Sequence, residues 1–208
     1  MTQKLAEAAL RLNSRYRRRH KDCGSLPAII LMTDAERLPC PEQAVAHLPP
    51  GSWVILRHYD APERRSLGRA LARLCREKRL FLLVAGDVRL AAELRADGLH
   101  LPEKMARGAA AKALAWRRSR KALLSIAAHS LPALRRAAAL HADAATLSPV
   151  FPTASHPGAL GLGVRRCASL CRSGGIPVYA LGGIRHKNVK HLTRIDLAGL
   201  ATVGGLSN

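Results

Sequence analysis

The sequence predicts an α/β fold with eight short parallel strands, and three observations lead there. Eight short apolar runs recur along the chain. Helix-forming stretches separate most of them, and the intervals suit full crossover connections rather than hairpins. The runs are apolar on both faces, which indicates a parallel sheet covered by helices, either open and doubly wound or closed into a barrel. Eight strands favour closure. At 208 residues the chain is shorter than the roughly 250 residues of a typical eight-stranded α/β barrel, so its connections must be compact.

The elements follow in order. An alanine-rich helix from Leu5 to Arg19 ends in basic residues, and Cys23, Gly24, Ser25 and Pro27 interrupt it. Residues 1–26 therefore form a basic helix and linker, and 27–208 the barrel domain. The first strand runs from Ala28 to Met32 and the second from Trp53 to Leu56. Pro62 opens a helix from Glu63 to Glu77. Leu80 to Ala85 is the third strand, a helix spans Val88 to Leu94, and Gly98 to Leu101 is the fourth strand. Helix formers fill Glu103 to Trp116. The alternation continues with a strand from Ala122 to Ala127, a helix from Ser130 to His141 and a strand from Ala144 to Leu147. After a Pro/Ser/Thr/Gly loop from Ser148 to Leu160 comes a helix from Val164 to Cys171. A strand from Pro177 to Leu181, a short helix from Asn188 to Thr193 and a strand from Ala198 to Val203 complete the set.

Composition bounds the function. The chain is 48% hydrophobic, yet no apolar stretch reaches the roughly 18 residues of a membrane span. The N-terminus lacks a secretory pattern, so a cytoplasmic protein is expected, without membrane association. Cys23, Cys40, Cys75, Cys167 and Cys171 are irregularly spaced and odd in number, which suits reduced thiols. Cys167 and Cys171 stand one helical turn apart, without the histidines that would complete a zinc site. The formal charge of +20 favours an anionic partner. Arg64, Arg65, Arg69, Arg73 and Arg76 recur at helical spacing and are expected on a solvated helix face. With 3% aromatic residues and no zinc-finger, basic-zipper or RNA-binding signature, a small anion is expected before nucleic acid.

In a parallel barrel the residues after each strand converge on one mouth, where a small-molecule site is expected. Thr33, Asp34, Arg57, His58, Asp87, His100 and His129 all stand at or near strand ends. Thr33, Asp34 and Asp87 equally suit helix starts. Arg57 offers a guanidinium to a phosphate. His100, between Leu99 and Leu101, is expected to be a core residue. His129 is the acid/base candidate, because an imidazole titrates near neutrality, with Ser130 beside it as a helix cap. Thr153, Ser155 and His156 lie in a polar, proline-rich loop suited to binding. Gly182-Gly183 and Gly204-Gly205 follow the last two strands, where backbone amides can approach an anion closely. No nucleophile-elbow serine appears.

The ordered pieces Leu56-Arg57, Ala96-Asp97-Gly98-Leu99-His100-Leu101, Ala142-Asp143-Ala144, Pro149-Val150-Phe151-Pro152-Thr153, Ile176-Pro177-Val178, Gly182-Gly183-Ile184 and Asn188-Val189 resemble the thiamine phosphate synthase and TenI superfamily. The resemblance spans about Pro27 to Leu206. It implies a TIM barrel, a thiazole-phosphate or thiamine-phosphate ligand, and a homodimer. Gly182, Gly183, Val203 and Gly204 match the region that receives the thiazole phosphate. Synthases of this family join hydroxymethylpyrimidine pyrophosphate to thiazole phosphate with magnesium. Against their pattern, Ala85 and Gly86 replace an Asn-Asp pair, and Met105 falls near the later acidic ligand. Ala127 replaces a serine, and His156 the loop lysine. Alanine, glycine and methionine cannot supply a hard oxygen ligand, so magnesium belongs only to a synthase reading in which Asp87 or Glu103 substitutes. In the TenI branch a histidine after the fifth strand moves protons on a phosphate-anchored thiazole, and His129 matches it. The resemblance thus implies a TenI-like thiazole-phosphate binder or tautomerase, with no cofactor. The alternatives are a synthase and a noncatalytic regulatory or anion- or nucleic-acid-binding barrel.

Overall fold

A computed structural model of the chain describes residues 3–21, 26–108, 110–153 and 160–203. Eight parallel strands close in sequence order, each paired with the next and β8 with β1. They are β1 (Ile29–Met32), β2 (Trp53–Leu56), β3 (Phe81–Ala85), β4 (Gly98–Leu101), β5 (Leu123–Ala128), β6 (Ala144–Leu147), β7 (Val178–Ala180) and β8 (Gly199–Thr202). Each expected strand is present, within a residue or two of its expected ends.

The helices are α1 (Gln3–Arg19), α2 (Pro41–Ala46), α3 (Arg64–Lys78), α4 (Val88–Glu93), α5 (Glu103–Gly108), α6 (Ala110–Arg120), α7 (Leu131–Ala139) and α8 (Gly163–Ser173). Asp87 accepts the N–H of Leu90 at 2.9 Å and so caps α4, and Ser130 caps α7 through the N–H of Ala133. Helices α5 and α6 carry the helix formers expected from Glu103 to Trp116. Two points differ from the expectation. The segment after Asn188 is a 3₁₀ turn, Val189–Leu192. The short helix α2, with Pro41 in its first turn, is too brief for a sequence period to reveal.

Alternation along the strands sorts side chains into two cores. Leu31, Val54, Leu56, Leu82, Val84, Leu99, Leu124, Ile126 and Leu147 face the helices. Ile30, Met32, Trp53, Ile55, Leu83, Ala85, Ala144 and Tyr179 fill the barrel. His100 shares that interior, 2% exposed, with Nδ1 2.7 Å from Oγ of Ser125 on the neighbouring strand. It is the core histidine expected. Burial, reinforced by the positive charge of Arg57, lowers its pKa to about 3.

The helix α1 packs against the barrel at the β1 and β8 seam through Leu5, Ala9, Leu12 and Tyr16. Its Asn13 is 7% exposed, and Nδ2 donates to the carbonyls of Leu26, Pro27 and Ala198, the last at 2.7 Å. The hydroxyl of Tyr179 donates to the Pro27 carbonyl at 2.6 Å from inside. No helix among the described residues is long and apolar enough to cross a membrane.

Two stability experiments follow. Asn13→Ala removes the donor to the buried Leu26 and Ala198 carbonyls, while Pro27 keeps the Tyr179 hydroxyl, and should cost about 1–3 kcal/mol in urea unfolding; an unchanged midpoint would remove Asn13 from the seam. His100 is neutral when folded and titrates near 6.5 when unfolded, so between those values only the unfolded chain takes up its proton. Its contribution is complete above pH 6.5 and is lost as pH falls toward 3, with a slope of about 1.4 kcal/mol per pH unit. Denaturation across pH 4–7 should show that slope flattened in His100→Gln relative to the native chain. The same slope in both would assign the acid sensitivity elsewhere.

Candidate functional site

The parallel closure brings the residues after all eight strands to one end of the barrel. Its two sides differ in chemistry. On the side of β1 and β2, Thr33, Asp34, Arg57 and His58 form one bonded group. Thr33 Oγ1 accepts the Arg57 N–H at 3.1 Å and lies 2.8 Å from Nδ1 of His58. The Arg57 guanidinium donates through Nε to the Thr33 carbonyl at 2.9 Å and through Nη2 to the Asp34 carboxylate. Arg57 is thus oriented by protein partners, while Nη1 has no acceptor among the described residues. Burial lowers its pKa despite the carboxylate of Asp34. His58 is buried, which lowers its pKa also, and it adopts φ +31°.

Next to this group, the ends of β3 and β4 carry no cluster of three metal-ligating side chains among the described residues. A side chain built at Gly86 would meet Met105 Sδ at 3.2 Å and Tyr59 at 3.6 Å. Met105 and Tyr59 therefore adjoin the place where the synthase pattern has its Asn-Asp pair. Arg64, at the start of α3, reaches under them. Its Nη2 donates to the Ala85 carbonyl at the end of β3, and its guanidinium lies 5.4 Å from the centre of the Tyr59 ring. Asp87 is committed to capping α4 and lies 3.8 Å from Arg64. Glu103 pairs with Arg107. Among the described residues no three metal-ligating side chains cluster. A sulfur, a glycine and a guanidinium do not suit magnesium, which takes hard oxygen ligands. Asp87 and Glu103 each already serve a protein partner.

On the opposite side, His129 follows β5 and is exposed. Its Nδ1 lies 2.7 Å from the Ser148 carbonyl at the end of β6; since a carbonyl only accepts, Nδ1 carries the proton. The main-chain N–H of His129 donates to Glu103 at 3.1 Å. Two strand ends and α5 thereby fix the ring, and Nε2 is left with no partner among the described residues.

The glycine pair after β7 has a structural demand of its own. Gly182 and Gly183 have φ +93° and +67°. A Cβ on Gly183 would stand 2.4 Å from the Pro152 carbonyl oxygen, and one on Gly182 2.9 Å from Pro149 Cα. The pair is pressed against the loop after β6, and the Phe151 N–H donates to the Gly182 carbonyl at 3.1 Å. Asn188 Nδ2 donates to the Gly183 carbonyl at 2.8 Å and closes the turn. Thr153 is half-buried in that loop, and Val203 packs half-buried on the barrel interior. Ser155, His156 and Gly204 lie outside the described residues.

Arg64 is the residue that sequence reasoning missed. Its place in the run Arg64, Arg65, Arg69, Arg73, Arg76 assigns it to a solvated face, and the other four are exposed. Arg64 is 13% exposed and turned into the mouth, because it begins the helix next to β3. The one usable signal was its position directly after the helix-opening Pro62-Glu63. Asp97 and Asp143, which belong to the family pattern, prove structural. Each precedes a strand and accepts a main-chain N–H of the preceding strand, from Leu82 at 2.8 Å and Leu124 at 2.7 Å.

Comparison with known proteins agrees with this architecture. The chain is 32% identical over 152 residues to a protein of Aquifex aeolicus named "Putative thiamine-phosphate synthase 2", covering 72% of this chain and 80% of that one. It is 30% identical to the thiamine-phosphate synthase of Thioalkalivibrio sulfidiphilus, covering 71% and 69% respectively. Among solved structures, the thiamine phosphate pyrophosphorylase from Pyrococcus furiosus superposes with a TM-score of 0.68, covering 87% of both chains at 22% identity, which bears on the fold. The family described as thiamine monophosphate synthase, TMP-TENI, matches residues 29–206, so the chain belongs to that family.

Proposed function

We propose that this barrel binds a phosphorylated thiazole at its mouth and transfers a proton on it through His129 without a metal. The observation that carries the reading is the fixed imidazole. With Nδ1 protonated toward Ser148, Nε2 is the basic atom, and it faces no competing partner among the described residues. A tautomerisation needs one such atom, which takes a proton from the thiazole at one position and returns it at another, with no net proton change. The phosphate is assigned to the side of Thr153, Gly182, Gly183 and Val203, with Arg57 as the charged contact across the mouth and with Ser155, His156 and Gly204, outside the described residues, as further candidate contacts.

The names of the relatives weigh differently: they support condensation to thiamine phosphate more than tautomerisation. One feature of the site favours that second reading. Arg64 gives the mouth a second guanidinium beside Arg57, and two cations suit a departing pyrophosphate. The donor set around Gly86 stands against it, because the family reaction uses magnesium and no carboxylate cluster is present there among the described residues.

One set of assays separates the two readings. Calorimetry at fixed ionic strength should show the phosphorylated thiazole binding more tightly than its dephosphorylated form. Substitution of Gly183 is a poor probe of this preference, since any Cβ there strikes the Phe151 and Pro152 carbonyls. The purified chain should interconvert thiazole tautomers, and His129→Ala should keep binding while losing at least about tenfold in rate. A rate unchanged at saturating substrate would reject His129. Multiple turnovers of thiamine phosphate from hydroxymethylpyrimidine pyrophosphate, thiazole phosphate and magnesium would replace the first reading by the second. Sedimentation of the same sample reads the homodimer that belongs to this proposal.

A further inference from the structure

The turns at the other end of the barrel follow a rule of their own. Ahead of each strand from β2 to β7 the chain passes through one residue at positive φ: Gly51 at +82°, Arg79 at +55°, Arg95 at +51°, Lys121 at +52°, His141 at +53° and Gly175 at +68°. A left-handed residue after a helix is most often glycine, because an L side chain costs about 1 kcal/mol or more there. Here two turns use glycine, and the four consecutive turns between them use two arginines, a lysine and a histidine. Space does not forbid side chains at these turns. A Cβ on Gly51 would meet nothing within 4 Å, and one on Gly175 only Ala138 at 3.9 Å.

Nor does helix electrostatics account for the pattern. A cation in the last turn of a helix is favourable. However, α3, α6 and α7 already hold Arg76 and Lys78, Arg117, Arg118 and Arg120, and Arg136 there, and only α4, ahead of Arg95, lacks a basic residue in its last turn. Arg79, Arg95, Lys121 and His141 are all exposed, and none has an ion pair or a side-chain hydrogen bond among the described residues. The strands are parallel and adjacent, so these turns form a continuous arc on the face opposite the mouth. The carboxylates on the same turns are engaged. Glu77 pairs with Arg73, Asp97 accepts the Leu82 N–H, and Asp143 pairs with Arg117. At one end the arc borders a concavity of about 510 Å³ lined by Arg69, Ala72, Arg76, Glu93, Leu94 and Arg95.

From this arrangement we propose that the arc docks the phosphate backbone of a double-stranded nucleic acid, independently of the ligand at the mouth. The exposed large apolar side chains among the described residues are Leu10, Tyr59, Phe81 and Leu160, and only Phe81 belongs to these turns. A single phenylalanine does not make the apolar strip that an anionic bilayer engages, nor the anchor cluster of a protein interface. Guanidinium groups match phosphate oxygens two at a time, and a regular ladder of phosphates suits cations spaced along an arc. The scarcity of aromatic residues excludes stacking on bases, so the arc reads the backbone and not the sequence.

The test is fluorescence anisotropy of a short mixed-sequence DNA duplex with the full chain at about 0.15 M salt. Arg79→Asn, Arg95→Asn and Lys121→Asn are combined in one variant, since asparagine accepts the left-handed conformation and keeps the turns intact. A control removes three exposed charges from the first turns of α4, α6 and α8, at the far ends of those helices from the arc: Arg89→Gln, Lys112→Gln and Arg165→Gln. The arc variant should lose at least about tenfold in affinity and flatten the salt slope by about 0.9 for each phosphate it no longer neutralises, while the control changes less than about twofold. Circular dichroism verifies both folds. Equal losses in the two variants would overturn the proposal, because net charge alone would then explain binding. So would the absence of micromolar duplex binding by the unaltered chain, or tighter binding to phosphatidylserine vesicles or polyglutamate than to the duplex.

Discussion

The pairing of β1 with β8 is the constraint on which the rest of the structure depends. Ile29, Ile30 and Leu31 align with Leu200, Ala201 and Thr202, and without that register the sheet would be open with two exposed edges. Closure also fixes the direction of every strand end, which is what gathers Arg57, His129 and the glycine pair at one mouth. The seam is reinforced where its strands start. Asn13 reaches it from α1 outside and Tyr179 from inside, and both bond the Pro27 carbonyl. A segment that the sequence presents as a basic helix before the barrel is, in packing terms, part of the wall.

The mouth that closure produces is electrostatically divided. Around β1 to β4 the guanidinium groups of Arg57 and Arg64 are held by the Asp34 carboxylate and the carbonyls of Thr33 and Ala85, and Tyr59 and Met105 adjoin Gly86. Around β5 to β7 the described polar groups include the His129 imidazole, the Ser148 hydroxyl, the Asn188 amide and main-chain carbonyls, with no guanidinium bonded among them. A divalent cation would meet positive charge and sulfur on the first side, and on the second an imidazole whose Nδ1 already donates to a carbonyl. Proton transfer at Nε2 makes no demand on the first side except orientation of an anion. The two halves are linked through Glu103, which accepts the His129 N–H while pairing with Arg107, so the carboxylate nearest the imidazole serves to hold its backbone.

The barrel was legible because its strands are apolar runs bounded by turns, a pattern that survives without neighbours to explain it. Strand positions are set by burial on both faces, and burial is written in residue type. The site was less legible. Arg57 and His129 follow strands directly, so strand prediction located them; what each is bonded to depends on Asp34, Thr33 and Ser148, which come from other strands. Arg64 escaped because helical spacing assigns a face to a residue but not the direction of the helix start. Gly182 and Gly183 suit an anion cradle by residue type, strand-end position and family resemblance, while their positive φ and the neighbouring Pro149, Phe151 and Pro152 backbone require glycine even before any ligand arrives.

The same topology that concentrates chemistry at one end separates it from the charge at the other. In a parallel barrel the strand-to-helix loops form the mouth and the helix-to-strand turns form the opposite face, so substitutions in one set leave the other nearly untouched. The helix-to-strand turns ahead of β2 to β7 are short, and each contains one left-handed residue. Such a position accepts an unbranched side chain that stays exposed, at a modest conformational cost. Charge can therefore accumulate there without disturbing the core: Arg79, Arg95 and Lys121 contact none of the residues assigned to the mouth. Part of the +20 excess is thus read as a property of that opposite face, and the mouth, where arginines are held by carboxylate and carbonyl partners, need not be understood through it.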